Sequence, residues 1–340
     1  KCAYDLLDQI IKLDFGRTLK IIECMLRDPK IKTLILLLVC VGLIIFLEKY
    51  QPPVQNSLWR SIMNTGHTPL FGSLSLMFFG LSSILLDKFA RNRFTHFIIA
   101  FIAASVAGLV SEMFQIVGPR DADLGDLLRD IAGIFIFLGL YSTFDQKLKD
   151  QSEKIRSYAY KFAMRTITIA LFLVMISPPV IWGIAFLERE SKFPVLCDFD
   201  SYWSRKFVTT QDAEMEVVPA PEGIAEGKDD MAARVTFMPA NYPGLKIFEP
   251  YPDWRGYDYL EFEVFSELDS TISLALVITD IHHNNEYNDR FNKGLKINPG
   301  TNRIRLSLEE IRHAPIDRQL DMENIASLLV FMYMVEDLYI

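Results

Sequence analysis

Residues 67–130 read HTPLFGSLSLMFFGLSSILLDKFARNRFTHFIIAFIAASVAGLVSEMFQIVGPRDADLGDLLRD: two long apolar runs and the start of a third, with ionisable residues at their ends. About 20 apolar residues cross the roughly 30 Å of membrane hydrocarbon, so these runs predict transmembrane helices. A carboxylate inside such a helix is costly and is rarely there by accident. His67 opens the first run, and Glu112 and Gln115 lie near the end of the second. Arg120, Asp121, Asp123, Asp126 and Asp130 lead into the third. Function is expected at this cluster.

Working outward, five apolar runs predict five spans, at roughly 33–48, 67–86, 94–117, 125–144 and 164–187. The first and fourth are short or interrupted, and Pro178 and Pro179 are expected to kink the fifth. Lys and Arg concentrate in residues 1–32, in the 87–93 loop and in the 145–165 loop, which five alternating spans put on one side. The opposite loops hold only Lys49, Arg60 and Arg120. The basic side is therefore expected to be cytoplasmic. The segment before the first span has Leu6, Ile10, Leu13, Ile21 and Met25 at near-helical spacing with basic residues between. It either lies on the inner membrane surface or packs on the bundle as a cytosolic helix.

Charge divides the chain near residue 190. Residues 1–191 carry 21 Lys and Arg against 17 Asp and Glu, whereas residues 192–340 carry 14 against 26. A basic, membrane-embedded half and an acidic, solvated half are implied. The acidic half excludes a nucleic-acid partner, which requires a basic face. Of four cysteines (Cys2, Cys24, Cys40, Cys197) only the last falls in that half, so no disulfide forms within it. No cleavable signal peptide is evident. Lys1 reads as a cut start, and the apolar run ending at Ile340 reads as a cut end with a closing strand expected beyond it.

After residue 190 short β-type runs take over at 233–238, 257–265, 272–279, 303–307 and 327–334. Turn signals separate them at Pro239, Pro243–Gly244, Asn284–Asn285 and Pro299–Gly300. Alternation in YDYLEFEVF gives one buried and one solvated face. Strands without helical crossovers predict an all-β sandwich. The fold class expected is thus multi-domain: an α-helical transmembrane bundle followed by an all-β sandwich.

Within the bundle, Glu112 and Gln115 share a helix face, as do Asp126 and Asp130. One outer-leaflet pocket is expected to hold His67, Glu112, Gln115, Arg120, Asp123, Asp126 and Asp130. Glu112, Asp130 and His67 are the candidate catalytic groups, with Gln115, Arg120, Asp123 and Asp126 as ligand-binding partners. Plainer roles stand beside these: Asp123 as an N-cap, Asp126 complementing a helix dipole, Arg120 pairing with Asp121 or Asp123. For Glu112 and Asp130 the plainer role is a structural ion pair or hydrogen bond.

The motifs NTGHTPLFGSLSLMFFG, RFTHF, SEMFQIV and RDADLGDLLRDIAGIFIFLGL together resemble the VanZ-like membrane family over roughly residues 33–145. The resemblance carries over Glu112, Gln115, Arg120, Asp123, Asp126 and Asp130, and also His67 and His96, although His96 falls at the cytoplasmic end of its helix. It implies a cell-envelope role linked to glycopeptide (teicoplanin) resistance, with no established reaction. An extra fifth span and a large C-terminal domain depart from the family pattern. The organisation expected is a cytoplasmic amphipathic leader (1–32), a VanZ-like domain of four spans (33–145) and a basic cytoplasmic loop (146–163). A fifth span (164–190) and an exported β-sandwich (191–340) complete it.

The stretch TDIHHNNEYNDRFNKGLKINPGTNRIRLSLEEI, with LDMENIASLLVFM after it, is similar to exported carbohydrate-binding jelly-roll (galactose-binding-like) modules over roughly 195–340. Asp280, His282, His283, Tyr287, Asp289, Arg290 and Phe291 could line a sugar site, with Asp280, His282, Tyr287 and Arg290 the ligand-binding candidates. Trp203, Trp254 and Tyr257 are candidate stacking surfaces. The alternative is a structural Asp289–Arg290 pair with the tryptophans in the core. The adjacent His282–His283 pair lacks metal-site geometry. No metal and no cofactor are expected, and no nucleophile elbow, phosphate loop or metal-ligand triad is evident in the sequence. The expected partners are the lipid bilayer and an envelope glycan or lipid-linked glycan. The reading is a plasma-membrane envelope-binding protein with its N-terminus cytoplasmic. Its rival is a membrane enzyme acting on a lipid-linked glycan or phosphate, with Glu112 or Asp130 as general base.

Overall fold

A computed structural model describes residues 56–89, 91–117, 124–225, 227 and 229–335, with isolated helical positions between 31 and 45. The leader, most of the first predicted span, Arg120, Asp123 and the side chain of Gln115 lie outside the described residues. The chain forms two compact units, Lys1–Trp182 and Gly183–Ile340.

The first unit is helical. Asn56 caps helix α1 (Ser57–Leu85) by accepting the Trp59 N–H at 2.8 Å. That cap starts the helix ten residues before the apolar run at His67, in polar sequence expected to be a loop. Helix α2 is Arg93–Val117 and α3 is Leu124–Ser142. Short helices α4 (Gln146–Gln151) and α5 (Glu153–Arg156) follow, then α6 (Tyr158–Lys192). Helix α6 is 35 residues long and runs on through Pro178 and Pro179. Three of the described helices, α1, α2 and α6, are long and apolar enough to cross a membrane. Helix α3 carries Asp126, Arg129 and Asp130 within its 19 residues, which sets it apart.

Small residues set how closely α1 and α3 pack. A Cβ on Gly133 would lie 2.1 Å from the Thr68 carbonyl oxygen, and one on Gly72 would lie 2.3 Å from the Phe137 ring. Leu70, Phe71, Leu74 and Phe79 of α1 form the core with Phe97, Ala100 and Ala104 of α2 and with Ile134 and Leu138 of α3. At the end of the bundle where α1 stops, Arg93 donates to Asp145 (3.0 and 2.8 Å) and Ser83 (2.8 Å) while lying over the Phe79 ring. Burial alone raises the Asp145 carboxyl. Arg93 and the Leu148 N–H outweigh it and hold that carboxyl below the usual range.

The second unit is β. Its strands are β1 (Val208–Gln211), β2 (Ala213–Pro219), β3 (Met231–Phe237), β4 (Gly244–Phe248), β5 (Tyr259–Ser266), β6 (Ile272–Asp280), β7 (Phe291–Ile297), β8 (Gly300–Ser307) and β9 (Ile325–Phe331). A five-stranded antiparallel sheet has the order β1-β4-β9-β6-β7, and two antiparallel pairs, β2-β3 and β5-β8, stand apart from it. Phe237, Leu260 and Leu306 from the pairs share one core with Leu274, Leu276, Ile278, Leu295 and Leu328 of the larger sheet. Side chains from all three sheets therefore meet in a single layer. On the outer face of β5-β8, Glu261 and Glu263 sit opposite Arg305 and Arg303 and pair with them at 2.9 and 2.6 Å. Gly300, at φ +79, makes the turn after Pro299 that a side chain would strain. A small helix α7 (Leu308–Arg312) follows β8.

Candidate functional site

The site lies between α1, α2 and α3. His67 occupies the third turn of α1, Glu112 the last turns of α2, and Asp126 and Asp130 one face of α3. His67 is 8 %, Glu112 5 % and Asp130 1 % exposed. One nitrogen or oxygen atom from each of these three lies within 4.8 Å of the others. The imidazole Nδ1 is hydrogen-bonded to Asp130 Oδ1 at 2.9 Å, and Nε2 is 3.8 Å from Asp126 Oδ2. Asp126 in turn accepts from Arg129. The His67 ring is held parallel to Phe71, 6.3 Å between centroids.

Local sequence explains the convergence. Gly133, one turn beyond Asp130, removes the side chain that would push α3 off Thr68, the neighbour of His67. Gly108, one turn before Glu112, does the same on α2, because a Cβ there would lie 2.9 Å from Asp130 Oδ2. Asp130 Oδ2 is buried and has no hydrogen-bond partner among the described residues. Two carboxylates this close in a low-dielectric interior repel each other unless a proton or a cation stands between them. The arrangement can orient an imidazole as a general base, bind a cationic or hydroxyl-bearing group, or ligate an ion.

Of the residues singled out in sequence, His67, Glu112, Asp126 and Asp130 come together. His96 does not: it is buried one turn from Arg93, and 16 residues of α2, about 24 Å, separate it from Glu112. Two participants escaped sequence reading. Arg129 had a signal, its i+3 spacing from Asp126. Gly108 had one only in retrospect, four residues before Glu112.

In the β unit, Asp280 is buried at the end of β6, with its carboxylate saturated. It accepts from Arg318, from the Asp321 N–H at 2.7 Å and from the His282 N–H at 3.1 Å. Asp289 accepts from the same guanidinium and from the Asn284 N–H at 2.9 Å. Those bonds, Arg318 foremost, hold the Asp289 carboxyl well below the usual carboxylate range. Arg318, unnoticed in the sequence, thus ties the β6 end to two loops. Arg290 stacks over Tyr287, 5.5 Å from its centroid, and bonds Asn292 rather than Asp289. His282 and Tyr287 are exposed. Trp254 belongs to the core, with Nε1 donating to the Tyr251 carbonyl at 2.7 Å. Beside it a groove of about 370 Å³ is lined by Tyr257, Tyr259, Arg255, Asp258, Glu309 and Arg312 among others.

No family model matches the chain, and no curated protein matches it. Solved structures with local likeness include a family 11 carbohydrate-binding module from Clostridium thermocellum in complex with a β-1,3-1,4-mixed-linked tetrasaccharide. It is 18% identical over 42% of this chain and 87% of that one, with TM-score 0.31. An exo-β-agarase is 16% identical over 38% of this chain, with TM-score 0.32, and the match spans only 22% of the agarase. A family 11 module of a Clostridium thermocellum cellulosomal cellulase is 17% identical over 39% of this chain and 79% of that one, with TM-score 0.26.

Proposed function

We propose that the chain is a multi-pass envelope membrane protein that binds an envelope lipid or lipid-linked glycan. Its buried pocket at His67, Glu112 and Asp130 takes a polar group of that ligand, while its β unit holds a glycan outside the membrane. One observation carries this reading: three ionisable side chains converge inside a bundle whose outer surface is apolar. Ile98, Ile102, Val106, Leu109 and Met113 of α2 face outward, as do Leu128, Ile131 and Phe135 of α3. Polar inside and apolar outside is the arrangement a lipid solvent favours. The five-span count, the VanZ-like resemblance and a jelly-roll form for the β unit belong to the same proposal.

The basic 87–93 and 145–165 connections support an orientation with the pocket in the outer leaflet. Tags inserted within 145–160 will be protected from an impermeant label in intact cells, and a tag near residue 228 will be labelled. Protection at 228 would sink the orientation and, with it, the outer-leaflet pocket.

The glycan is expected to be neutral or cationic, because the acidic half repels polyanions such as teichoic acids. Tyr257 offers a ring beside Arg255, Asp258, Glu309 and Arg312, next to Tyr259 with Arg305 over its ring, and Tyr287 with Arg290 over it forms a second aromatic group. Titrating the full chain in detergent with a panel of envelope oligosaccharides will give weak binding, since shallow sites must replace water's hydrogen bonds. Tyr257→Ala will lower affinity about tenfold, in line with the roughly 1.4 kcal/mol that tenfold represents. An unchanged affinity for Tyr257→Ala and loss with Tyr287→Ala moves the site to the His282–Arg290 loop. No binding across the panel removes the glycan reading.

A second reading has its own observation, the 2.9 Å His67–Asp130 bond. A carboxylate that orients an imidazole makes a general base, so a hydrolytic or transfer reaction on the same ligand is the alternative.

A further inference from the structure

The geometry points to a divalent transition-metal site, Zn²⁺ being the expected ion, with His67, Glu112 and Asp130 as ligands. This deepens the pocket reading above and rests on it. Ligands at 2.0–2.2 Å around a tetrahedral ion are roughly 3.3–3.5 Å apart. One donor atom from each of the three lies within 4.8 Å of the others, and His67 Nδ1 and Asp130 Oδ1 are 2.9 Å apart. Shifts of a few tenths of an ångström to about 1 Å would seat an ion among them.

Two observations support an ion over a purely structural cluster. Asp130 Oδ2 is fully buried without a hydrogen-bond partner among the described residues, whereas such atoms are ordinarily satisfied. Finally, His67 Nε2 faces Asp126, itself held by Arg129, which is the outer carboxylate that commonly orients a ligating histidine. An imidazole among the donors favours Zn²⁺ over Mg²⁺. Three protein ligands leave at least one coordination position for a water or a substrate oxygen.

The test uses the full chain, purified in detergent on a tag without histidines, stripped with EDTA and titrated with Co²⁺ and then Zn²⁺. One Co²⁺ per chain with a ligand-field absorption band, displaced by Zn²⁺ but not by Mg²⁺, is expected. Glu112→Gln and Asp130→Asn should each weaken binding by at least the roughly 10–100-fold that loss of an outer-shell partner costs. Absence of a stoichiometric Co²⁺ band in the wild-type chain overturns the proposal even if a variant fails to fold. So does affinity unchanged in both variants, or equal competition by Mg²⁺. A wild-type chain that binds no metal but loses envelope-ligand binding with Asp130→Asn would end the metal site and leave the pocket reading intact.

Discussion

Replacing Arg318 with alanine will destabilise the β unit more than any other single surface-accessible change. The substitution leaves the Asp280 carboxylate buried with only the Asp321 and His282 amides, and it releases Asp289 as well. Removing one partner of a buried ion pair costs about 3–5 kcal/mol. Arg318 is about a quarter exposed, at 26 %, so the lower end applies. That corresponds to a fall of on the order of 10 °C in the midpoint of a domain this size. Tryptophan fluorescence of Trp254, packed in the core, will report it, and Arg318→Lys will recover only part because one ammonium cannot reproduce the fork. A midpoint within 2 °C of wild type would show that the loops are held by other contacts.

Acid should act through the same group. The Asp289 carboxyl is held below its usual range, so the folded chain keeps it ionised where the unfolded chain protonates it. The resulting stabilisation is complete above about pH 4, the ordinary aspartate value, and is lost as pH falls further through the folded value. The gap between wild type and Arg318→Ala will therefore be constant down to about pH 4 and narrow below it. A gap that already narrows between pH 7 and 5 would assign it to another group.

The second large effect is expected at Gly133. An alanine methyl would sit 2.1 Å from the Thr68 carbonyl oxygen, a backbone atom that cannot swing away. Helices α1 and α3 must separate, which costs at least the roughly 1–3 kcal/mol of ordinary overpacking. The shift would also open the His67–Asp130 bond, because Thr68 follows His67 and Gly133 lies one turn from Asp130. Gly66, also on α1, has nothing within 4 Å of an added Cβ. Gly66→Ala will be neutral or stabilising by up to about 1 kcal/mol through helix propensity. Thermal unfolding of both variants in the same detergent separates packing from propensity, and equal midpoints would refute close α1–α3 packing.

Much of this was legible in the sequence for identifiable reasons. Apolar length gave α1, α2 and α6, and short β-type runs between turn signals gave β3, β5, β6, β8 and β9 within a few residues. The start of α1 was hidden because Ser57–Gly66 is polar and Pro69 suggests a break, while Asn56 supplies the cap that overrides both. Strands β1, β2, β4 and β7 were missed for want of pattern. They are four residues long (β1), carry Glu214 and Glu216 outward (β2), begin at a turn glycine, Gly244, and run only five residues (β4), or are interrupted by Gly294 (β7). The helical cluster could be read because i, i+4 spacing and burial cost act locally. Arg318 could not, since it meets Asp280 across 38 residues of chain.

The strand order bears on how the β unit meets other copies of itself. Tethering confines molecules to two dimensions, where neighbours meet at high effective concentration. Open sheet edges would then invite strand-on-strand polymerisation. The five-stranded sheet ends in β1, only four residues long, and in β7, which carries Lys293 and Lys296 around an exposed Gly294. A brief edge on one side, and on the other a glycine-weakened one with Lys293 held by Glu310 and Lys296 exposed, give an incoming strand little to align with. The edge strands of the described sheet are thereby poor templates for strand addition.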